Sequence, residues 1–320
     1  MTVLSYERLA AEVVAQTGLL RSHLGGADPA APVPSCPGWS LERLLRHLGE
    51  THRWAEEVVR TRAVEPVSDE LLNHPPRHRD GDLAALGDWL AEGAARLAEA
   101  LRAAGPDAKV WTPGPGGTAA FWARRMAHET AVHRADAALA VGAEYALATE
   151  VALDAVDEWM GFGTVEEAYE PGPGTPGLLG PGRTLRFHAT DPVPEAAAAE
   201  WRVDLTGTQP TWHRSLAEPA QHHRFTEPTA RHHSPSQATR HRSPSEPAPP
   251  HLPGEAAPHR SPDTAARPHS LGEPAVTVRA PLTDLLLLLY GRPTRTGDVE
   301  VRGDHRLLDL WLRRTGFWLE

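Results

Sequence analysis

The chain has 320 residues, a formal net charge of −10 and one cysteine, Cys36. An acidic protein lacks the basic patch with which nucleic-acid binders neutralise phosphates, and a lone cysteine allows neither an intramolecular disulfide framework nor a cysteine-based structural zinc site. The length exceeds one average domain, which favours two folded units, or two plus a long irregular segment.

The N-terminal stretch MTVLSYERLAAEVVAQTGLL has neither the basic n-region nor the apolar core of a secretory signal. Within it Leu4, Leu9, Val13, Val14 and Leu20 recur at helical spacing, predicting a first helix that ends near Gly25-Gly26. Ser40 is a good N-cap, Glu42 suits the positive end of a helix dipole, and Leu41, Leu44, Leu45 and Leu48 form an apolar stripe. A second helix is therefore predicted over 41–62. Leu83, Leu86, Leu90, Leu97 and Leu101 mark a third, over 82–104, stopped by Gly105-Pro106. After PGPGG at 113–117 a fourth runs over 118–141 to Gly142, and a fifth stretch over 149–167 closes a helical bundle.

Beyond the linker PGPGTPGLLGPG the period changes from helical to alternating. Segments 184–191, 200–206, 275–280 and 299–304 read as half-buried strands, with helices over 281–291 and 305–315. The expected fold class is α+β: a metal-binding helical bundle over 1–170, then a small α+β domain over 183–320. That second domain is interrupted by residues 207–274, which hold 13 of the 31 prolines and 9 of the 18 histidines and almost no aliphatic side chains. Such a segment cannot bury enough apolar surface to offset its ordering entropy, so it is expected to be a disordered insertion. The longest apolar run, Leu285–Tyr290, is far shorter than the roughly 20 residues that cross a bilayer, so a soluble, cytoplasmic protein without membrane or nucleic-acid partners is expected.

The chemistry concentrates in RMAHETAVHRAD, residues 125–136. A zinc-protease helix needs two histidines four apart, whereas His128 and His133 are five apart, so that reading fails on geometry. Glu129 and His133 are four apart and project a carboxylate and an imidazole from one face. On the second helix His47 lies on the stripe that includes Leu44, Thr51, Trp54 and Val58. Interior histidines and a carboxylate on facing helices are costly to bury unpaired, and one shared cation would resolve that cost for all three. Two histidines and a glutamate form a catalytic zinc ligand set with an open fourth position; nickel, iron or manganese suit it too.

CPGWSLERLLRHLGETHRWA (36–55), RMAHETAVHRADAALA (125–140), LLLLLYGR (285–292) and VEVRGDHRLLDLWL (299–312) together resemble the mycothiol-dependent maleylpyruvate isomerase family. The resemblance implies a DinB-like four-helix bundle, a C-terminal unit similar to sterol carrier folds, and zinc held by His47, Glu129 and His133. It also implies mycothiol as cosubstrate, with a small electrophile undergoing cis–trans isomerisation or S-transfer. The alternative is a non-catalytic metal-binding or regulatory protein of the same fold. Around the expected site, Arg53 with His52 is a candidate to meet an acidic substrate or the thiol's carboxylate, against a solvated helix face. Trp54 is a candidate substrate platform, against core packing. Asp136 is placed to orient an imidazole or to pair with Arg134, His128 is a candidate supporting base but reads rather as a partly exposed helix residue, and Cys36 reads as a packing residue. Arg279 and Arg292 sit at element ends, where surface pairing with Asp284 or Glu300 outweighs a role toward an anionic cofactor.

Overall fold

Capped apolar stripes set the helical region. In a computed structural model describing residues 4–68, 81–170, 176–191, 199–215, 273–294 and 297–316, α1 spans Tyr6–Ser22, α2 Leu41–Thr61, α3 Leu83–Ala104 and α4 Ala119–Val141. Each of the first three starts under a side-chain cap: Ser5 accepts from Arg8 N, Ser40 from Arg43 N and Asp82 from Ala85 N. Gly142, with φ 67°, ends α4 in the left-handed conformation that glycine adopts without strain.

Two apolar clusters show how these helices run. Leu9 and Val13 early in α1 meet Val58 and Leu97 late in α2 and α3, and Trp122 and Met126 early in α4. At the other end Leu20 late in α1 meets Leu44, Leu48, Leu86 and Leu90, and Ala137 late in α4. Thus α1 and α4 run one way, and α2 and α3 the other. The parallel α2–α3 pair depends on a close approach at Gly49, where an added Cβ would lie 2.0 Å from the Trp89 ring. Between the clusters lies a polar layer, in which His52 Nε2 on α2 sits 2.8 Å from Thr130 Oγ1 on α4.

The C-terminal region is a five-stranded sheet in the order β3-β2-β1-β4-β5, comprising β1 (Thr184–Ala189), β2 (Glu200–Asp204), β3 (Thr211–Ser215), β4 (Val276–Ala280) and β5 (Glu300–Gly303). β1 and β4 are parallel; the other neighbours are antiparallel. Phe187, Trp201, Val203, Val276 and Val278 point to one face and pack against helices α7 (Leu282–Leu289) and α8 (His305–Thr315). The α+β class read from the sequence is the observed one. No helix among the described residues is long and apolar enough to cross a membrane.

Three details differ from the sequence expectation. Helix α5 (Thr149–Phe162) does not simply close the bundle: Ala152, Val156, Trp159 and Met160 share the core of the sheet, α7 and α8. This helix is buried around nearly its whole circumference, its acidic Asp154, Asp157 and Glu158 included. A further short helix, α6 (Glu166–Tyr169), follows it. The segment 207–274 begins with β3, in register with β2 through Trp212↔Val203 and Arg202↔His213. TWHRS has one apolar residue and too little alternation to announce an edge strand; pairing to β2 supplies its order. Residues 216–272 of the expected insertion lie outside the described residues.

Glu200 opens a pH test. Its side chain is 2% exposed and accepts from Arg186 and from Arg202 Nε at 2.9 Å. Burial pushes its pKa up, but hydrogen bonds from His188, Arg186 and Arg202 outweigh burial and hold it at about 2, below the ordinary 4.5. A carboxylate with a depressed folded-state pKa stabilises the fold above its unfolded value, and that stability is lost as the pH falls from about 4.5 through about 2. Allowing for solvent screening at the half-open arginines, the contribution is on the order of 2 kcal/mol. Urea midpoints of wild type and Glu200→Gln should converge between pH 5 and about 2. A constant difference in midpoint would refute the assignment.

Candidate metal centre

Helix α4 has small or apolar residues on nearly all its faces yet buries Arg125, His128, Thr130, His133, Arg134 and Asp136. Buried polar groups need partners, and those of α4 find them in three directions. Toward α2, the ligand atoms of His47, Glu129 and His133 lie within 4.8 Å of one another. Glu129 Oε1 is 2.9 Å from His133 Nε2 and 3.9 Å from His47 Nε2. The i, i+4 spacing on α4 and the antiparallel crossing of α2 produce this convergence. Both imidazole rings stand near Trp39, whose ring centroid is 4.9 Å from that of His47 and 6.5 Å from that of His133. The two imidazoles meet edge to face at 5.2 Å.

The second direction fixes the His133 ring. Its Nδ1 lies 2.8 Å from Asp136 Oδ2, and Asp136 in turn accepts from Arg292 Nε at 3.1 Å and Nη2 at 3.0 Å. A carboxylate on the far nitrogen of a histidine fixes its tautomer, so that Nε2 is the nitrogen offered to a metal. Burial alone would lower the His133 pKa, but the Glu129 charge and hydrogen bonds to Asp136 and Glu129 raise it to about 9. Without metal, both ring nitrogens thus carry protons, and the Nε2 proton occupies the position a cation would take. The third direction stabilises Glu129: Arg125 Nη2 donates to its Oε2 at 2.7 Å, and Arg125 and His133 hold its carboxyl well below the usual range against the effect of burial. Two neutralisable imidazoles, one ionised carboxylate and an outer carboxylate on the imidazole fit a divalent cation.

Replacing Asp136 by Asn keeps the shape but removes the charge on His133 Nδ1–H. Metal affinity, read by competition with a chromophoric chelator, should fall about 10–100-fold. An unchanged affinity would show that His133 is not oriented this way.

The other sequence candidates fall in varied places. Arg53 turns to α3: it donates to the carbonyls of Gly49 (3.1 Å) and Trp89 (2.8 Å) and stacks over the Trp89 ring at 3.8 Å. Trp54 donates to Val67 O and packs edge-on against Trp111 and Trp122. Neither makes its contacts at the three-residue cluster. His52, read with Arg53 as part of a solvated face, is fully buried, and desolvation lowers its pKa to about 3, so it is neutral. His128 is also fully buried rather than partly exposed, between Asp154 (3.2 Å) and Glu158 (3.0 Å), because α5 covers that face of α4. Cys36 Sγ is 3.6 Å from Asp136 Oδ2, and burial followed by that charge pushes its pKa up to about 11, which leaves it a thiol. Arg292, expected to pair at the surface, is largely buried and reaches Asp136. Arg134 donates to Ala146 O and stacks over Tyr145 at 4.2 Å.

Sequence reasoning missed Trp39 and Arg125. The i, i+4, i+8 series Arg125, Glu129, His133 was visible as one face of a helix, whereas nothing in the sequence places Trp39, in the turn before α2, against rings of two helices.

Residues 10–138 match the family model described as the mycothiol maleylpyruvate isomerase N-terminal domain. Two solved structures are similar over almost the whole chain. A mutant of the mycothiol-dependent maleylpyruvate isomerase aligns at TM-score 0.50 and 14% identity, covering 94% of this chain and 95% of that one. The crystal structure of the mycothiol-dependent maleylpyruvate isomerase itself aligns at 0.49 and 15%, with the same coverage. At such identity the former establishes the fold alone. No curated protein matches the sequence.

Proposed function

We propose, from the premise that the helical region is a domain of the mycothiol maleylpyruvate isomerase N-terminal family, that this chain is a metal-dependent cytoplasmic enzyme using a low-molecular-weight thiol such as mycothiol. The reaction is maleylpyruvate-isomerase-like cis–trans isomerisation, or thiol S-transfer, on a small electrophile. The observation that carries this reading is the convergence of His47, Glu129 and His133 from two helices, with His133 oriented from behind by Asp136.

His47, Glu129 and His133 would hold the cation. Bound there, zinc supplies a Lewis acid that keeps an entering thiol deprotonated at neutral pH. A thiolate adding to a conjugated cis double bond frees rotation about it, and its expulsion restores the alkene in the trans form. The chain's own residues prepare for this. Asp136 holds the proton on His133 Nδ1, Arg125 holds Glu129 ionised, and Trp39 places an aromatic ring beside both imidazoles. Burial and the Asp136 charge keep Cys36, the one cysteine of the chain, in its thiol form, which favours an external thiol as the nucleophile.

The test is metal analysis of the purified protein, then turnover of conjugated cis-dienoate and halide electrophiles with and without mycothiol. Thiol-dependent turnover that disappears on chelation and returns with zinc supports the reading. Tight metal binding with no heat change on mycothiol addition points instead to a non-catalytic metal-binding protein.

A further inference from the structure

The two carboxylate oxygens of Glu129 are used differently. Oε1 faces the two imidazoles, while Oε2 accepts a charge-assisted hydrogen bond from Arg125. The guanidinium has little freedom to leave. Its Nη1 donates to Glu158 Oε2 at 2.6 Å and to Tyr290 Oη at 3.0 Å, and the side chain is 9% exposed. Glu158 comes from α5, whereas Tyr290 ends α7, in the region of the sheet. Through this Oη, Tyr290 brings the C-terminal region to Arg125, 165 residues away in sequence.

A carboxylate can bind a cation through one oxygen or both, and an oxygen bonded to a buried guanidinium is withheld from the second mode. We infer that Arg125, steadied by Glu158 and Tyr290, is a positioning residue that restricts Glu129 to one metal-facing oxygen and so keeps a coordination position open for the thiol. It follows that the C-terminal region governs the geometry of a site whose three candidate ligands all lie on α2 and α4. Charge neutralisation alone does not require this arrangement. Glu158 already gives Arg125 a buried counter-ion through Nη1, and the single hydrogen bond from Nη2 to Glu129 Oε2 is an additional, directed contact on the oxygen turned away from the imidazoles. The inference rests on the metal reading proposed above.

The experiment uses the full chain loaded with cobalt(II) in place of zinc, because the visible absorption of cobalt weakens as its coordination number rises, independently of turnover. Arg125→Met should weaken the visible bands, as Glu129 binds through both oxygens, and should lower mycothiol affinity about tenfold or more, read from the thiolate-to-cobalt charge-transfer band. Arg125→Lys, which restores a point charge but not the planar guanidinium, should recover part of both. Tyr290→Phe removes a single oxygen from the tether and should shift the spectrum the same way by less; it decides the matter if Arg125→Met does not fold. Wild-type spectra and wild-type thiol affinity in folded variants overturn the inference while leaving the metal reading intact. Failure of the unmodified chain to take up cobalt overturns both, and shows in the wild-type arm.

Discussion

His133→Ala is expected to leave a folded protein that no longer retains metal. The loss should exceed the 10–100-fold that removing an outer partner costs, because His47 and Glu129 then remain as two donors on separate helices. Folding should survive, since each carboxylate facing His133 keeps an arginine: Asp136 pairs with Arg292 at 3.0 Å and Glu129 with Arg125 at 2.7 Å. Metal content after dialysis, measured beside the thermal midpoint, separates lost binding from lost structure. Proton linkage sharpens the result. The metal-free His133 pKa is raised to about 9, so between neutral pH and that value a cation must displace the Nε2 proton. Apparent affinity should therefore rise about tenfold per pH unit over that range, with one proton released per cation, and flatten above it. The same raised pKa gives the metal-free fold a stabilisation that is complete below the ordinary value of 6.5 and lost as pH rises through about 9. In His133→Ala the proton release should vanish. Full metal retention by the variant, or affinity independent of pH between 7 and 9, would refute the assignment of His133 as a ligand.

Trp201→Ala is expected to have the largest effect on stability. The side chain is fully buried on β2, packs in the core shared by the sheet, α5, α7 and α8, and donates through Nε1 to Asp157 Oδ1 at 2.7 Å. Deleting a buried tryptophan to alanine costs about 3–5 kcal/mol in transfer and cavity terms. Asp157 would lose its indole donor, leaving Arg214 at 3.4 Å as its remaining ion-pair partner. For a protein of this size the thermal midpoint should drop on the order of 10 °C. Trp201→Phe retains most of the packing and removes the hydrogen bond, and should cost about 1–3 kcal/mol. Equal losses in the two variants would show that the hydrogen bond, not the packing, dominates.

The helical region was legible because its signals are local. Ser40 caps α2, the leucines of α2 and α3 repeat at helical spacing, and Gly142 stops α4, all within a few residues of the structure they specify. The strands β1, β2, β4 and β5 were legible through alternation. β3 was not, because an edge strand with one tryptophan owes its order to its neighbour. Within the candidate centre, the facing of Glu129 and His133 follows from a four-residue spacing; His47 does approach them, but its side chain is 40% exposed, so the interior place read from the apolar stripe was not met. His52 and His128 misled because burial is a property of the neighbouring helix: α4 covers one through Thr130, and α5 the other through Asp154 and Glu158.

By itself, then, the sequence determined which residues could share a helix face, and so proposed His47, Glu129 and His133 and excluded the protease motif. Only the tertiary structure decided what stands behind them. Asp136 with Arg292, and Arg125 with Glu158 and Tyr290, are contacts between segments up to 165 residues apart, and no local periodicity encodes them. Their physical origin is the cost of burying charge. Once α5 and α7 close over α4, each ionised side chain on that helix must find a partner on whichever element covers it.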